Sequence, residues 1–336
     1  MKIGEFDVES NVLLIAEIGN NHEGNFELAA EMIKQAAQAG ADAVKFQTFN
    51  TGDYVSCLNK ERTAKLSSFE LKREQWRKLR DCAEQNNVLF FSTPFDLKSA
   101  DFLNELVPAF KIASGDNTFY PLLRKVAEFG KPIILSTGML EISQIRFSKS
   151  YIENIWAEKG IEQSLAILHC VASYPTSSED ANLLAIREIV KEFGGICGYS
   201  DHTLGIEAAA ISVALGARVI EKHFTLDKNY SDFRDHQLSA TPDELKLLRE
   251  HIDQTVQMLG TEGKKLLEVE KGVCPTVRRS IVAKRNLSEG DIVTPDDITW
   301  VRPSGGLAPG RENEVLGRVL KQRVAAGDFL LLENLG

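Results

Sequence analysis

The chain has 336 residues, of which 43% are hydrophobic and 26% charged, the balance of a soluble globular protein too long for one ordinary core. Its 39 Lys and Arg against 48 Asp and Glu leave a net charge of −9, which argues against nucleic acid as a partner, because a phosphate backbone calls for a basic footprint. No apolar run approaches the ~18 residues of a membrane span, and the acidic N-terminus does not read as a signal peptide. Cys57, Cys82, Cys170, Cys197 and Cys274 are scattered without a CxxC pair, a pattern that suits reduced thiols in a cytoplasm.

In chain order, short apolar runs predict strands at Val12–Ile18, Ala43–Phe46, Val88–Phe91, Ala109–Ala113, Pro132–Leu135, Leu165–Leu168, Gly195–Tyr199 and Arg218–Glu221. None alternates with polar residues, as expected of strands buried on both faces. Between them, helical spacing predicts Phe26–Gln38, Arg73–Glu84, Leu97–Leu106, Tyr120–Phe129, Ile142–Ala157, Ser178–Glu192 and Gly205–Leu215. An eighth helix, Thr241–Leu259, opens with a Thr cap, Pro242 in its first turn and early acids. Eight strand–helix units in about 260 residues predict a (β/α)8 TIM barrel over residues 1–260. A doubly wound sheet is the rival, but no GxGxxG follows the first strand. Residues 261–278 read as a linker, and 279–336, with short strand-like pieces between Gly/Asp turns, as a small β-rich domain.

Barrel enzymes carry their chemistry at the C-terminal ends of the strands. Here each predicted strand ends in polar residues: Glu17, Asn20 and His22; Lys45 and Gln47; Ser92 and Thr93; Lys111, Ser114 and Asp116; Ser136 and Thr137; His169 and Tyr174; Ser200, Asp201 and His202; Glu221, Lys222 and His223. A lysine inside an apolar strand is costly unless it is paired or faces a site. Lys45 and Lys111, with hydroxyls at Thr93, Ser114 and Ser200, make a hydrogen-bonding cationic pocket suited to phosphate and carboxylate. His202 and His223 fall at the ends of adjacent strands, where both imidazoles meet one divalent cation and leave positions open for water and substrate. Glu17 reads as a general base, a clamp on substrate or a structural partner of Lys45. His22 reads as a loop residue, and His169 and Cys170 as core.

The segments AEIGNNHEG, GADAVKFQTF, STPF, FKIASGDN, KPIILSTGM, LHCVASYPT, GYSDHTLG and ALGARVIEKHFTLDK resemble, in order, the sialic acid synthase family. The tail RRSIVA…GDIVTPDDITWVRPSGGLAP resembles the antifreeze-like (SAF) domain that completes those enzymes. The resemblance implies a metal-dependent condensation of phosphoenolpyruvate with an open-chain N-acetylhexosamine, N-acetylmannosamine by default, giving a nonulosonic acid and phosphate. It implies phosphoenolpyruvate binding by Lys45, Thr93, Lys111, Ser114 and Ser200. It implies a sugar side made of Glu17, Gln47, Tyr174, Asp235 and Arg302, and catalytic carboxylates at Glu17 and Asp116. The metal on His202 and His223 is expected to be manganese, with magnesium or cobalt as substitutes. Arg302 is expected to reach into a neighbouring subunit's site, which implies a domain-swapped homodimer. Asp116 stands where many bacterial members carry Glu, and Ala172 where some carry Asn. These departures, with the NYSDFRDHQ segment, put the sugar in question. The alternatives are a legionaminic or pseudaminic acid synthase, a spore-coat polysaccharide relative, another phosphoenolpyruvate aldol-type synthase on a barrel, or a carbohydrate-binding protein without activity.

Overall fold

The computed structural model describes residues 1–336, which fall into two compact units, 1–260 and 261–336. In the first, strands β1 (Leu13–Gly19), β2 (Ala43–Thr48), β3 (Leu89–Pro94), β4 (Phe110–Ile112), β5 (Ile133–Ser136), β6 (Leu165–Cys170), β7 (Ile196–Asp201) and β8 (Val219–His223) form one parallel sheet. Its order is β3-β2-β1-β8-β7-β6-β5-β4. The first and last strands pair, with Glu17 opposite His223, and β3 and β4 lie side by side, so the sheet closes into a barrel. A doubly wound sheet would reverse its strand order at a switch point; here every neighbour is sequential except β1 and β8, which close the ring. A hairpin of Lys2–Ile3 and Phe6–Asp7 precedes the barrel.

The helices that alternate with the strands are α1 (Phe26–Gln38), α2 (Arg73–Gln85), α3 (Leu97–Leu103), α4 (Tyr120–Glu128), α5 (Ile142–Lys159), α6 (Leu184–Phe193), α7 (Glu207–Ala214) and α8 (Pro242–Leu259). α8 starts as its sequence indicates: Thr241 accepts from the Glu244 amide while the Glu244 carboxylate accepts from Thr241 N, a capping box that satisfies two orphan donors. α6 begins at Leu184 rather than Ser178, because the Ser177 hydroxyl bonds Asp180 at 2.8 Å and Asn182 adopts φ +44°, holding that stretch as turns.

Two layers of core follow from the period of two along each strand. Outward-facing Leu14, Val44, Phe90, Ile112, Leu135 and Ile220 pack under the helices. Inward-facing Leu13, Ile15, Ala43, Phe91, Ala109, Ile134, Ala166, Leu168 and Val219 fill the barrel, and Met1, Ile3 and Val8 of the N-terminal segment pack with them. Strands β2, β3, β6, β7 and β8 run two or three residues further than their apolar runs predict. Their polar ends are strand, alternate residues turned into the barrel, where sequence hydropathy reads loop.

The second unit carries one antiparallel pair, Ser280–Ala283 with Ile298–Val301, and single bridges such as Leu287 with Val324. Ile281, Leu287, Val293, Val315, Leu320 and Leu330 make its core. The stretch read as a linker holds two short helices, Glu268–Lys271 and Cys274–Val277. It is tied to this unit by the Ser304 amide, which donates to Pro275 O at 2.8 Å.

Candidate active site

The C-terminal ends of the strands surround a cavity of about 600 Å³. At its base the inward positions one step above the apolar fill are Glu17, Lys45, Thr93, Lys111, Ser136, Cys170, Ser200 and Glu221, all lining it. Alternation alone puts them there: Ala43 and Lys45, Ala109 and Lys111, Val219 and Glu221 are each two residues apart on one strand face.

Lys45 and Lys111 are almost fully buried and meet around one carboxylate. Lys45 Nζ lies 2.7 Å from Glu17 Oε2, 3.6 Å from Glu221 Oε2 and 3.1 Å from Thr93 Oγ1. Lys111 Nζ lies 3.5 Å from Glu221 Oε1 and donates to Ser136 Oγ at 2.8 Å. Ser200 Oγ donates to Glu221 Oε1 at 2.9 Å, and Gln47 Nε2 donates to Glu17 Oε1 at 3.0 Å. Burial raises the affinity of both carboxylates for a proton. For Glu221 the Lys111 and Lys45 ammoniums outweigh that effect and hold it well below the usual range. For Glu17 burial prevails; Lys45 opposes it and the Glu221 charge adds to the rise. The two carboxylates thus differ in readiness to carry a proton, the pattern by which one site separates acid from anion. Glu17 is at once Lys45's partner and part of the cavity wall.

The His202 and His223 rings stand 5.3 Å apart, centre to centre. His202 Nδ1 donates to Val171 O at 2.8 Å, which assigns the proton to that nitrogen and leaves Nε2 without one. His223 Nδ1 is buried without a partner. Burial lowers both imidazole pKa values, keeping the rings neutral, as a metal requires. This donor set fits a divalent cation. The Tyr174 ring centre lies 4.0 Å from that of His202, with the planes tilted, and the Arg234 guanidinium lies 4.5 Å from the Tyr174 ring centre. Asp235 is buried in the same wall.

Of the residues singled out in the sequence, the structure gathers Glu17, Lys45, Gln47, Thr93, Lys111, Ser114, Tyr174, Ser200, His202, His223 and Asp235 around the cavity. Asp116 stands on the turn Ser114–Asp116 after β4 and does not line it. Its Oδ2 is buried without a partner, and burial pushes the carboxyl up to about 6. Arg302 is exposed on the second unit, whereas every residue around the cavity belongs to the first. Asp201 and Lys222 face the opposite side of the sheet, where they pair at 2.9 Å with no exposure. His22 packs against Phe46 and Trp76, and His169 stacks on Tyr199 and bonds Ala181 O, so both belong to the core. Glu221 carries no role in the sequence reading; its signal was the shared strand face with His223. Tyr54, Arg62, Lys65 and Phe69 also line the cavity unforeseen. They come from helices Thr51–Tyr54 and Lys60–Phe69, inserted between β2 and α2. An interval that much longer than an ordinary βα loop was their signal.

Paired lysines and carboxylates gathered at the strand ends define a barrel enzyme with a site suited to anions. Residues 32–264 match the NeuB family and residues 278–336 the SAF domain. A protein of Methanocaldococcus jannaschii is 44% identical over 100% of this chain and 98% of its own length. The N,N'-diacetyllegionaminic acid synthase of Campylobacter jejuni is 40% identical over 91% of this chain and 95% of its own length. The crystal structure of the N-acetylneuraminic acid synthetase of Leptospira borgpetersenii, in complex with citrate, superposes with a TM-score of 0.77 at 34% identity, covering 81% of this chain and 94% of that one. The chain belongs to the NeuB family and ends in a SAF domain. It is a C–C bond-forming transferase of the phosphoenolpyruvate-dependent kind. No helix is long and apolar enough to cross a membrane.

Proposed function

We propose that this enzyme condenses phosphoenolpyruvate with the open-chain aldehyde of a 2-acetamido hexose and water, releasing a nonulosonic acid and inorganic phosphate. N-acetylmannosamine, giving N-acetylneuraminate, is the default acceptor. The reading rests above all on the convergence of Lys45 and Lys111 with Thr93, Ser114 and Ser200 beneath a cavity of about 600 Å³, within the size range of small-molecule sites. The ammoniums and hydroxyls are charge-assisted donors for the carboxylate and phosphate of phosphoenolpyruvate. Gln47, Tyr174 and Asp235 offer the polar groups that orient a sugar.

In the reaction the enolpyruvate methylene forms a C–C bond to the aldehyde carbon, whose oxygen takes a proton. Water adds to the resulting oxocarbenium carbon and gives one proton to the carboxylate that protonated the aldehyde oxygen; C–O cleavage then expels phosphate, which takes up the hydroxyl proton, and leaves the keto group. Glu17, raised by burial and 2.7 Å from Lys45, supplies the proton to the aldehyde oxygen. Asp116, raised to about 6, is the second acid/base group, acting from beside the cavity wall. A divalent cation, manganese with magnesium or cobalt as substitutes, would be held by His202 and His223 and would supply Lewis-acid polarisation of the aldehyde. Arg302 of the partner subunit completes the sugar side in a domain-swapped homodimer. We place the enzyme in the cytoplasm, where its five free thiols stay reduced.

A diacetamido hexose is the second reading, favoured by the 40% identity to the C. jejuni synthase over 91% of the chain. Phosphate release from phosphoenolpyruvate with manganese is the test, run across N-acetylmannosamine and 2,4-diacetamido hexoses with a chelated control. The expected result is metal-dependent release with one of these sugars and none after chelation. No release with any of these sugars, from folded metal-loaded protein, overturns the proposal.

A further inference from the structure

The buried cage has little net charge to offer at a distance. Glu221 offsets one of the two ammoniums, Glu17 offsets the other except while it holds a proton, and the chain as a whole carries −9. A small, highly charged anion approaching the barrel is therefore repelled by the molecule and barely attracted by the cage until it arrives. Uncompensated positive charge sits higher up. Helix Lys60–Phe69 crosses the edge of the cavity and turns Arg62 and Lys65, one helical turn apart, into its wall. Both are exposed, and neither is paired with a carboxylate. Aromatic rings orient them instead: the Arg62 guanidinium lies 5.8 Å from the centre of the Tyr54 ring, and the Lys65 ammonium 5.0 Å from that of Phe233. A cation–π contact fixes direction without cancelling charge.

The helix is held firmly at its far end. Phe69 is buried edge-on against Phe233, and Glu70 accepts from the Thr51 amide at 2.7 Å. Gly24, at φ +79°, lets the Ser68 backbone approach so closely that a Cβ there would sit 2.1 Å from Ser68 O. The helix that carries the two cations is thus a fixed feature of the mouth. A pair of like charges at a mouth raises the local concentration and the on-rate of an oppositely charged ligand, here working against Asp232 and Asp235 in the same wall.

We infer that Arg62 and Lys65 form an outer capture site for the phosphorylated, carboxylated substrate, drawing it to the mouth before it passes to the lysine cage below. The inference rests on the proposed use of phosphoenolpyruvate. It assigns these residues to encounter, while the final contacts remain with Lys45 and Lys111.

The test is stopped-flow binding of phosphoenolpyruvate to the full-length, manganese-loaded protein and to Arg62→Ala/Lys65→Ala, across ionic strength. In the double variant the association rate constant should fall about 3- to 10-fold at low salt, and its salt dependence should flatten. The dissociation rate should stay within about twofold, because the bound ligand sits on the cage. Arg62→Glu/Lys65→Glu should slow association further. Unchanged association in both variants overturns the inference. So does a loss that appears wholly as faster dissociation, which would make the two residues direct contacts. Wild-type protein that binds no phosphoenolpyruvate overturns the functional reading itself, an outcome distinct from either. Both substituted residues are exposed, so circular dichroism should match wild type.

Discussion

The lower and upper halves of the barrel interior are built from the same strands by the same alternation, yet they differ completely in character. Below, Leu13, Ile15, Ala43, Phe91, Ala109 and Val219 are buried hydrocarbon. One step up the same strand faces stand Glu17, Lys45, Thr93, Lys111 and Glu221, just as buried but polar or charged. The lower half gains free energy from burial; the upper half costs desolvation that only internal pairing offsets. A barrel retains such a layer for binding and chemistry, and the lower layer supplies the stability that lets it do so.

A second contrast runs across the sheet rather than along it. Lys222 and Lys111 are both fully buried strand lysines, but Lys222 faces outward onto Asp201 at 2.9 Å and Thr203 O at 2.6 Å. Lys111 faces the cavity. The largest effect expected of any substitution here is on the outward pair. Lys222→Met strands the Asp201 carboxylate in the core and should cost about 3–5 kcal/mol in urea unfolding. The folded fraction should keep its Michaelis constants within about twofold. Equal damage to substrate binding would erase the distinction between the faces.

Lys111→Met should do the opposite. Glu221 keeps Lys45 and Ser200, so stability should change little, whereas the Michaelis constant for phosphoenolpyruvate should rise about 10- to 100-fold, the value of a charge-assisted hydrogen bond. Steady-state kinetics against both substrates checks it: an equal rise for the sugar would place Lys111 elsewhere in the reaction. Lower in the barrel, Ile15→Val removes one buried methyl and should cost about 0.5–1.5 kcal/mol, with kinetics untouched. A kinetic effect from that position would couple the two layers.

The smallest effect is one of pH. Burial lifts the Asp116 carboxyl to about 6, so the folded state binds its proton more tightly than the unfolded state does. Its contribution is most favourable below the ordinary carboxylate value near ~4 and declines as pH rises to about 6, after which it is constant. Asp116→Asn removes that decline. The melting temperature of the variant relative to wild type should therefore climb by roughly 1–3 °C between pH 4.5 and 6.5. A difference that stays flat over this interval would mean that Asp116 ionises normally.

Eight apolar runs separated by amphipathic helices were legible in the chain because a parallel strand buried on both faces shows as a short hydrocarbon block. The polar residues after each block were legible for the same reason: charge has no place beside such a strand unless something faces it. Thus Lys45, Lys111, His202 and His223 declared themselves. The side of the sheet each residue faces was not legible at strand ends, since a polar run such as Glu221-Lys222-His223 carries no hydrophobic marker of phase. Only the closed barrel sent Glu221 and His223 inward and Lys222 out to Asp201. The helix bearing Arg62 and Lys65 was hidden differently: it is almost wholly polar and exposed, and only its tertiary anchors, Phe69 on Phe233 and Ser68 on Gly24, place it over the cavity. Hydrophobic burial writes itself into local sequence; the pairing of charges across strands far apart in the chain is decided only when the fold closes.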